Sequence, residues 1–582
     1  MSSTSSSIAH DYWSNAVQPR LALLDGVLEH QRALRSVSDD TWDAVNIELA
    51  ALNTAASHVR FRRNSLLPIC RVPPEILTAI FQVYISDCRF QDEEILSQGS
   101  RSPTPPLPGC DIVWIFSITH VCRHWRHVAL ECPGLWRVVN FNHGQSLWKE
   151  MANRAQGTPL VLDTWEPVRS GLDWTLHPLD RECLLTQISE SEIIPSHIHH
   201  TETLVLSGCP TGMSELVPSI TNPAPILETL SIAAVGGHSA PNDTRDMFPE
   251  DFLASKAPKL CKVVLMGCRW LWNSPLLKTL THLEMCPNRH DPFAHTGSLM
   301  DLLDALNNTP ELETLKLSNC LPFDNGVVSG QLTTILPALT SINLSGTAES
   351  CIALLTHIEM PVCAYFDVNL SSNDTTEAQF TSFLPFISAS ISRTLKAGKP
   401  IRSLEIEHDL DLLGSNLHVA SWEHVGTHVD PVCKVTFGLR KSTYTQWPID
   451  VFEDICRRFP LHLLTNLSLS SDTWRKEQWI EIFSHAVNVS SVSAADRAGE
   501  SLISVLDAQP AHIPLSASAQ NVSGPDGAGS GELFPRLTSL RVQNVHLKRL
   551  IPRDGSAGQE ELGRVLSRRL TERIDTLQKL IL

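Results

Sequence analysis

The chain has 582 residues, too many for one hydrophobic core, so two or more domains or one elongated array are expected. Its 46 Lys and Arg against 63 Asp and Glu give a formal charge of −17, which argues against nucleic acid as a partner. No run of about 18 apolar residues is present to cross a membrane, and Met1-Ser-Ser-Thr-Ser-Ser-Ser lacks the basic and apolar regions of a secretory signal. The 15 cysteines then read as reduced, mostly buried thiols of a cytoplasmic or nuclear protein. Asn-x-Ser/Thr triplets such as Asn343-Leu-Ser and Asn466-Leu-Ser read as by-products of the repeats described below.

Residues 1–15 are polar, and disorder is expected there. Residues 16–64 are helical and coiled-coil-like. Leu21, Leu24, Leu28, Leu34, Val45, Leu49, Leu52 and Ala56 recur at three- and four-residue steps. The register breaks near Ser36 to Asp40, which predicts two helices. They are expected to pack on the neighbouring module or, less favourably, to form a dimerisation arm.

A small all-helical module is expected over residues 65–140. Pro73 and Pro74 occupy a first helical turn and Glu75 complements its dipole. Ile76, Leu77, Ile80, Phe81 and Tyr84 follow as an apolar stripe. An inserted loop is predicted at 88–111, rich in Ser, Gly and Pro toward its end. Beyond it, Ile115, Ile118, Cys122, Trp125 and Ala129 keep the helical rhythm, with Val121 and Val128 beside them. Cys132-Pro-Gly ends that helix, and Leu135-Trp136 closes the segment. A module of this size has limited core of its own, so some apolar side chains are expected to face a partner.

From residue 155 to 582 a different phrase recurs. Strand-like pieces begin at Leu160, Leu204, Leu230, Val263, Leu283, Leu315, Ile342, Leu404, Leu467, Leu540 and Leu580. Many follow a Pro-x-Leu-x-x-Leu lead-in, as at Pro310, Pro337 and Pro535. In Leu-x-x-Leu-x-Leu the leucines point inward from one short parallel strand while the intervening residues face out. Asn319, Cys320, Cys209 and Cys268 are placed to pack or hydrogen-bond beneath the strand edge. Helical returns are predicted at Ser298–Leu306, Phe452–Phe459 and Glu561–Leu570. Units of roughly 20 to 40 residues that cannot bury their apolar side alone stack into a solenoid. The stretch Cys433–Trp447 and a flexible loop at about 516–531 are read as interruptions. The final Leu580-Ile-Leu lacks the polar cap of a solenoid end, which points to a truncated or self-capping terminus.

No catalytic pattern emerges. Ser523-Gly-Pro-Asp-Gly-Ala-Gly-Ser-Gly lacks the Gly-Lys-Ser/Thr ending of a phosphate cradle. No Gly-x-Ser-x-Gly elbow occurs, and His197-Ile-His-His has no matching ligand pair for a metal. No cofactor and no enzymatic activity are expected.

The split phrase Val72-Pro-Pro-Glu-Ile-Leu, Ile80-Phe81 and Val121-Cys-Arg-His-Trp-Arg resembles the F-box-like module of fungal, basidiomycete-type proteins. The later region resembles the irregular leucine-rich repeats found in F-box proteins. Val72 replaces the usual leucine, and the loop is long. The fold implied is α/β: an N-terminal helical segment and a small all-α module, then an irregular solenoid of short parallel strands alternating with helices. The resemblance implies that Pro73, Ile76, Leu77, Ile80, Phe81, Val121, Cys122 and Trp125 bind a Skp-type adaptor, and through it a cullin–RING ubiquitin ligase. The repeats would then select an unknown protein substrate, with Glu313, Thr314, Lys316, Asn343, Arg402, Ser403 and Glu405 as polar contacts. The alternative expectation is a leucine-rich-repeat interaction scaffold without ligase docking.

Overall fold

The structure is a computed structural model. It describes residues 2–34, 39–97, 110–141, 144–164, 178–234, 248–268, 272–286, 297–322, 333–361, 365–375, 377–410, 414–422, 433–440, 454–508, 533–545, 570 and 577–581. The predicted loop at 516–531 lies outside these residues, as do 98–109 of the predicted loop at 88–111 and all but the last residue of the helical return at Glu561–Leu570. The chain divides into two compact units. The first is Met1–Arg137 with Asn153–Gln156, the second Val138–Ala152 with Gly157–Leu582.

In the first unit, α1 (Ser2–Leu34) and α2 (Asp39–Ser65) are the two expected helices. Helix α1 already begins at Ser2, where disorder was expected for 1–15. Residues 2–18 contain no Gly or Pro to stop a helix, so α1 continues through the serine-rich start although Ile8, Tyr12 and Ala16 on it are exposed. The module that follows is all-helical: α3 (Pro74–Ser97), α4 (Cys110–Thr119) and α5 (Arg123–Glu131). Helix α3 runs ten residues past the expected start of the inserted loop, because Cys88 to Leu96 contains no Gly or Pro to stop it. Trp136 closes the module by donating its indole N–H to the Ala129 carbonyl at 2.8 Å and packing on Trp114 at 5.3 Å.

The second unit is α/β and carries a long, mostly parallel sheet. Its strands are β1 (Val138–Asn140), β2 (Leu160–Asp163), β3 (Thr201–Gly208), β4 (Thr229–Ala234), β5 (Lys262–Met266), β6 (His282–Cys286), β7 (Thr314–Ser318) and, after the short β8 (Thr334–Ile335), β9 (Ser341–Ser345). After the short β10 (Ile358–Glu359) come β11 (Tyr365–Thr375), β12 (Ser403–Leu410), β13 (Gly414–Trp422), β14 (Cys433–Arg440), β15 (Asn466–Ser471), β16 (Ser491–Ala495), β17 (Ser539–Gln543) and β18 (Lys579–Ile581). Sixteen of them pair in one sheet; β8 and β10 form a separate pair.

Alternation decides which residues make the core. Leu204, Leu230, Val263, Leu283, Leu315, Ile342 and Phe366 lie in one register row, each beside its counterpart on the next strand. All are buried. Leu404, Leu467, Val492 and Leu540 continue the row on the far side of the sheet. Helices α6 (Gln145–Ala155), α7 (Pro178–Ser191), α8 (Ile193–His197), α9 (Pro210–Leu216), α10 (Leu299–Asn307), α11 (Ala348–His357), α12 (Glu377–Lys396), α13 (Lys476–Phe483) and α14 (Asp496–Ala508) lie between strands in the chain. Helix α10 starts at a capping box in which Ser298 and Asp301 satisfy each other's backbone N–H.

One stretch departs from the purely parallel expectation. β13 is antiparallel to both β12 and β14, and the sheet order runs β11-β14-β13-β12-β15. Only three residues separate β12 from β13, far short of the dozen or so that a parallel crossover needs. The meander therefore belongs to the sheet, and Cys433–Arg440, read as an interruption, is one of its central strands.

Candidate functional site

In the first unit the apolar stripe of α3 is divided between two environments. Leu77 and Phe81, four residues apart, point into the module and are 0% and 1% exposed. Ile85 extends that buried line, which meets Trp114, Ile118, Val128 and Trp136 in the module's core. Ile76 and Ile80, one position earlier in each turn, remain 55% and 45% exposed. Val83 and Tyr84 continue the exposed face toward the C-terminal end of α3. Val121, in the turn before α5, is 53% exposed, and Phe116 of α4 is exposed as well.

Cys122 is the N-cap of α5: its Sγ accepts the Trp125 backbone N–H at 3.4 Å. Burial first, then the neighbouring Cys122 sulfur, holds the Cys70 thiol above its ordinary pKa. Trp125 is half-buried, its ring 5.1 Å from Phe81 at 60°. The Trp125 indole N–H is buried with no hydrogen-bond partner among the described residues.

The eight residues expected to bind an adaptor thus fall into three groups. Pro73, Ile76, Ile80 and Val121 are exposed, Cys122 and Trp125 are half-buried, and Leu77 and Phe81 are core. The last two are corrected from surface to interior. They have the same helical spacing as Ile76 and Ile80, but α4 and α5 close over their side of α3. Val83 and Phe116 are exposed apolar residues that the sequence reading left out. The signal for Val83 was its place three residues beyond Ile80; Phe116 had none.

In the second unit the outward positions of the strands form a polar row. Glu284, Lys316, Asn343, Asp367 and Lys434 stand side by side in register. Lys316 pairs with Glu284 at 3.4 Å, and Asn343 donates to Asp367 at 2.9 Å. Tyr365 OH also donates to Asp367, at 3.3 Å. Farther along, burial and then Glu407 raise the Glu405 carboxyl above the usual carboxylate range. Of the expected contact positions, Lys316 and Asn343 engage neighbouring strands. Thr314, Ser403 and Glu405 are half-buried on their strands, and Glu313 and Arg402 are exposed just before theirs.

The cysteines behind the strands behave as the repeat phrase implies. Cys268 donates to the Ile232 carbonyl at 3.6 Å and Cys320 to the Met285 carbonyl at 3.7 Å, each reaching an earlier strand. Burial pushes both thiols up to about 12, so they stay protonated. Cys209 instead caps α9, accepting the Gly212 N–H at 3.4 Å.

His197, His199 and His200 cluster just ahead of β3, with His200 Nδ1 3.0 Å from His199 Nε2. No group of three or more metal-ligating side chains with a suitable arrangement occurs among the described residues. Burial, then positive neighbours, lowers the pKa of His197 and His200. The folded state therefore resists protons that the unfolded chain accepts near pH 6.5. Stability from this cluster is intact above that pH and falls as pH drops from there through the lower folded values. Thermal unfolding at pH 7.5 and 5.5 should show a drop in Tm that is smaller in His197→Gln/His200→Gln.

No helix among the described residues is long and apolar enough to cross a membrane. The chain matches no protein-family model, and no curated protein is significantly similar to it.

Proposed function

We propose that this protein is a substrate-recognition subunit of an SCF-type ubiquitin ligase, working in the cytoplasm or nucleus. The helical module docks a Skp-type adaptor, and the outward polar row of the repeat sheet holds a protein target. The protein does no chemistry itself; it raises the effective concentration of the target near a ubiquitin-charged enzyme. The observation that carries this reading is the exposed apolar face of α3 and the α5 turn. Ile76, Ile80 and Val121 stay about half exposed although the module has a filled core beside them. Burying these three side chains and Val83 against a partner would contribute roughly 4–6 kcal/mol before the cost of association.

Co-purification with a Skp-type adaptor tests it. Wild-type protein should capture the adaptor, and Ile76→Asp/Ile80→Asp should reduce capture at least tenfold while far-UV dichroism and Tm stay near wild type. Both side chains are already exposed, so the variant keeps its core. A folded wild-type chain that captures no adaptor would leave an interaction scaffold without ligase docking.

A further inference from the structure

Helix α2 carries an apolar seam separate from the docking face. Trp42, Val45, Leu49, Leu52, Ala56 and Val59 alternate at three- and four-residue steps, the a and d positions of a heptad pattern. Helix α1 touches α2 and is tied to it by the Arg20–Glu48 ion pair. Of the α2 side chains only Thr41 is buried. Val45 is half-buried, and the other five seam residues are exposed.

Charge is sorted along the same helix. Asp39, Asp40 and Asp43 lie at its start and Arg60, Arg62 and Arg63 at its end, all exposed. This order complements the helix dipole, and it also discriminates between ways of pairing two copies. Parallel copies would set carboxylates beside carboxylates and guanidinium groups beside guanidinium groups. Antiparallel copies set each acidic end against the other's arginines. Turned about the point between Ala50 and Ala51, the seam is self-complementary: Trp42 meets Val59 of the second copy, Val45 meets Ala56, and Leu49 meets Leu52. The interface is isologous and closes on itself, as a two-fold dimer requires.

We propose that the protein self-associates through α2 as an antiparallel two-fold pair, with a second copy of this chain covering the seam. The association is independent of adaptor docking, because it uses none of Ile76, Ile80 or Val121.

Sedimentation of the full chain at about 5 and about 50 μM tests this. Wild type should shift toward the dimer mass as concentration rises, and about 1 M salt should weaken association several-fold by screening the paired ends. Asp39→Arg/Asp40→Arg/Asp43→Arg makes both ends of α2 positive, and Arg60→Glu/Arg62→Glu/Arg63→Glu makes both negative. Each variant alone should be monomeric, and an equimolar mixture of the two should be dimeric, which a misfolded variant could not give. Leu49→Asp/Leu52→Asp should be monomeric with unchanged far-UV dichroism. Ile76→Asp/Ile80→Asp should dimerise as wild type does, separating this result from the docking test. A wild-type chain monomeric at about 50 μM, a dimer surviving either charge swap, or a mixture that stays monomeric would each overturn the proposal.

Discussion

A Phe81→Ala chain is expected to lose about 3–5 kcal/mol from the stability of its helical module, the usual cost of deleting a buried aromatic. Phe81 is sealed beside Leu77 and carries the inner side of the Trp125 ring. Few contacts in a module this small can compensate, and the loss approaches the whole stability of many domains. Adaptor capture should fall along with amide-exchange protection in α3 and α5. Ile76→Asp/Ile80→Asp should lose capture with that protection intact. The pair of variants therefore separates the module's core from its proposed docking face. Undiminished protection of α3 in Phe81→Ala would refute the interior assignment of that ring.

The second large effect is expected at Trp479 on α13. Its ring is fully buried against Trp474 at 5.8 Å, Phe483 at 5.5 Å and Phe534 at 6.2 Å, and its indole N–H donates to Ser501 Oγ at 2.9 Å. Trp479→Ala should cost about 3–5 kcal/mol, nearly all from the lost volume, because the Ser501 hydroxyl still donates to the Ala498 carbonyl at 2.9 Å. Stacked repeats are held mainly by their nearest neighbours. Loss of amide-exchange protection should therefore begin at β15, β16 and β17 and leave β3 to β6 near wild type. Equal loss along the whole sheet would show that the unit unfolds as one body.

Most strands of the second unit were legible because the Leu-x-Leu phrase is a local rule: it needs only a two-residue period and a stop. Leu204, Leu315 and Leu467 each mark their strand in the sequence and occupy the expected inward position. β13 and β14 were not legible in that way. Gly414-Ser-Asn-Leu-His and Cys433-Lys-Val-Thr-Phe carry no leucine phrase, and they are strands because β11, β12 and each other offer hydrogen-bonding edges. Their inward positions include Ser421 and Cys433. The Ser421 hydroxyl donates to the Cys433 carbonyl at 3.5 Å, a pairing that exists only once the meander has closed.

The sequence by itself determined periodicity: helical rhythm before residue 140 and leucine-spaced strands after it. Periodicity names the apolar residues of a helix but leaves open which of two adjacent lines turns inward. Ile76 with Ile80 and Leu77 with Phe81 have identical spacing and nearly identical hydrophobicity. Only the tertiary packing of α4 and α5 against one side of α3 makes Leu77 and Phe81 core and leaves Ile76 and Ile80 at the surface. The cause is contact between segments some forty residues apart in the chain, which no window along the sequence contains.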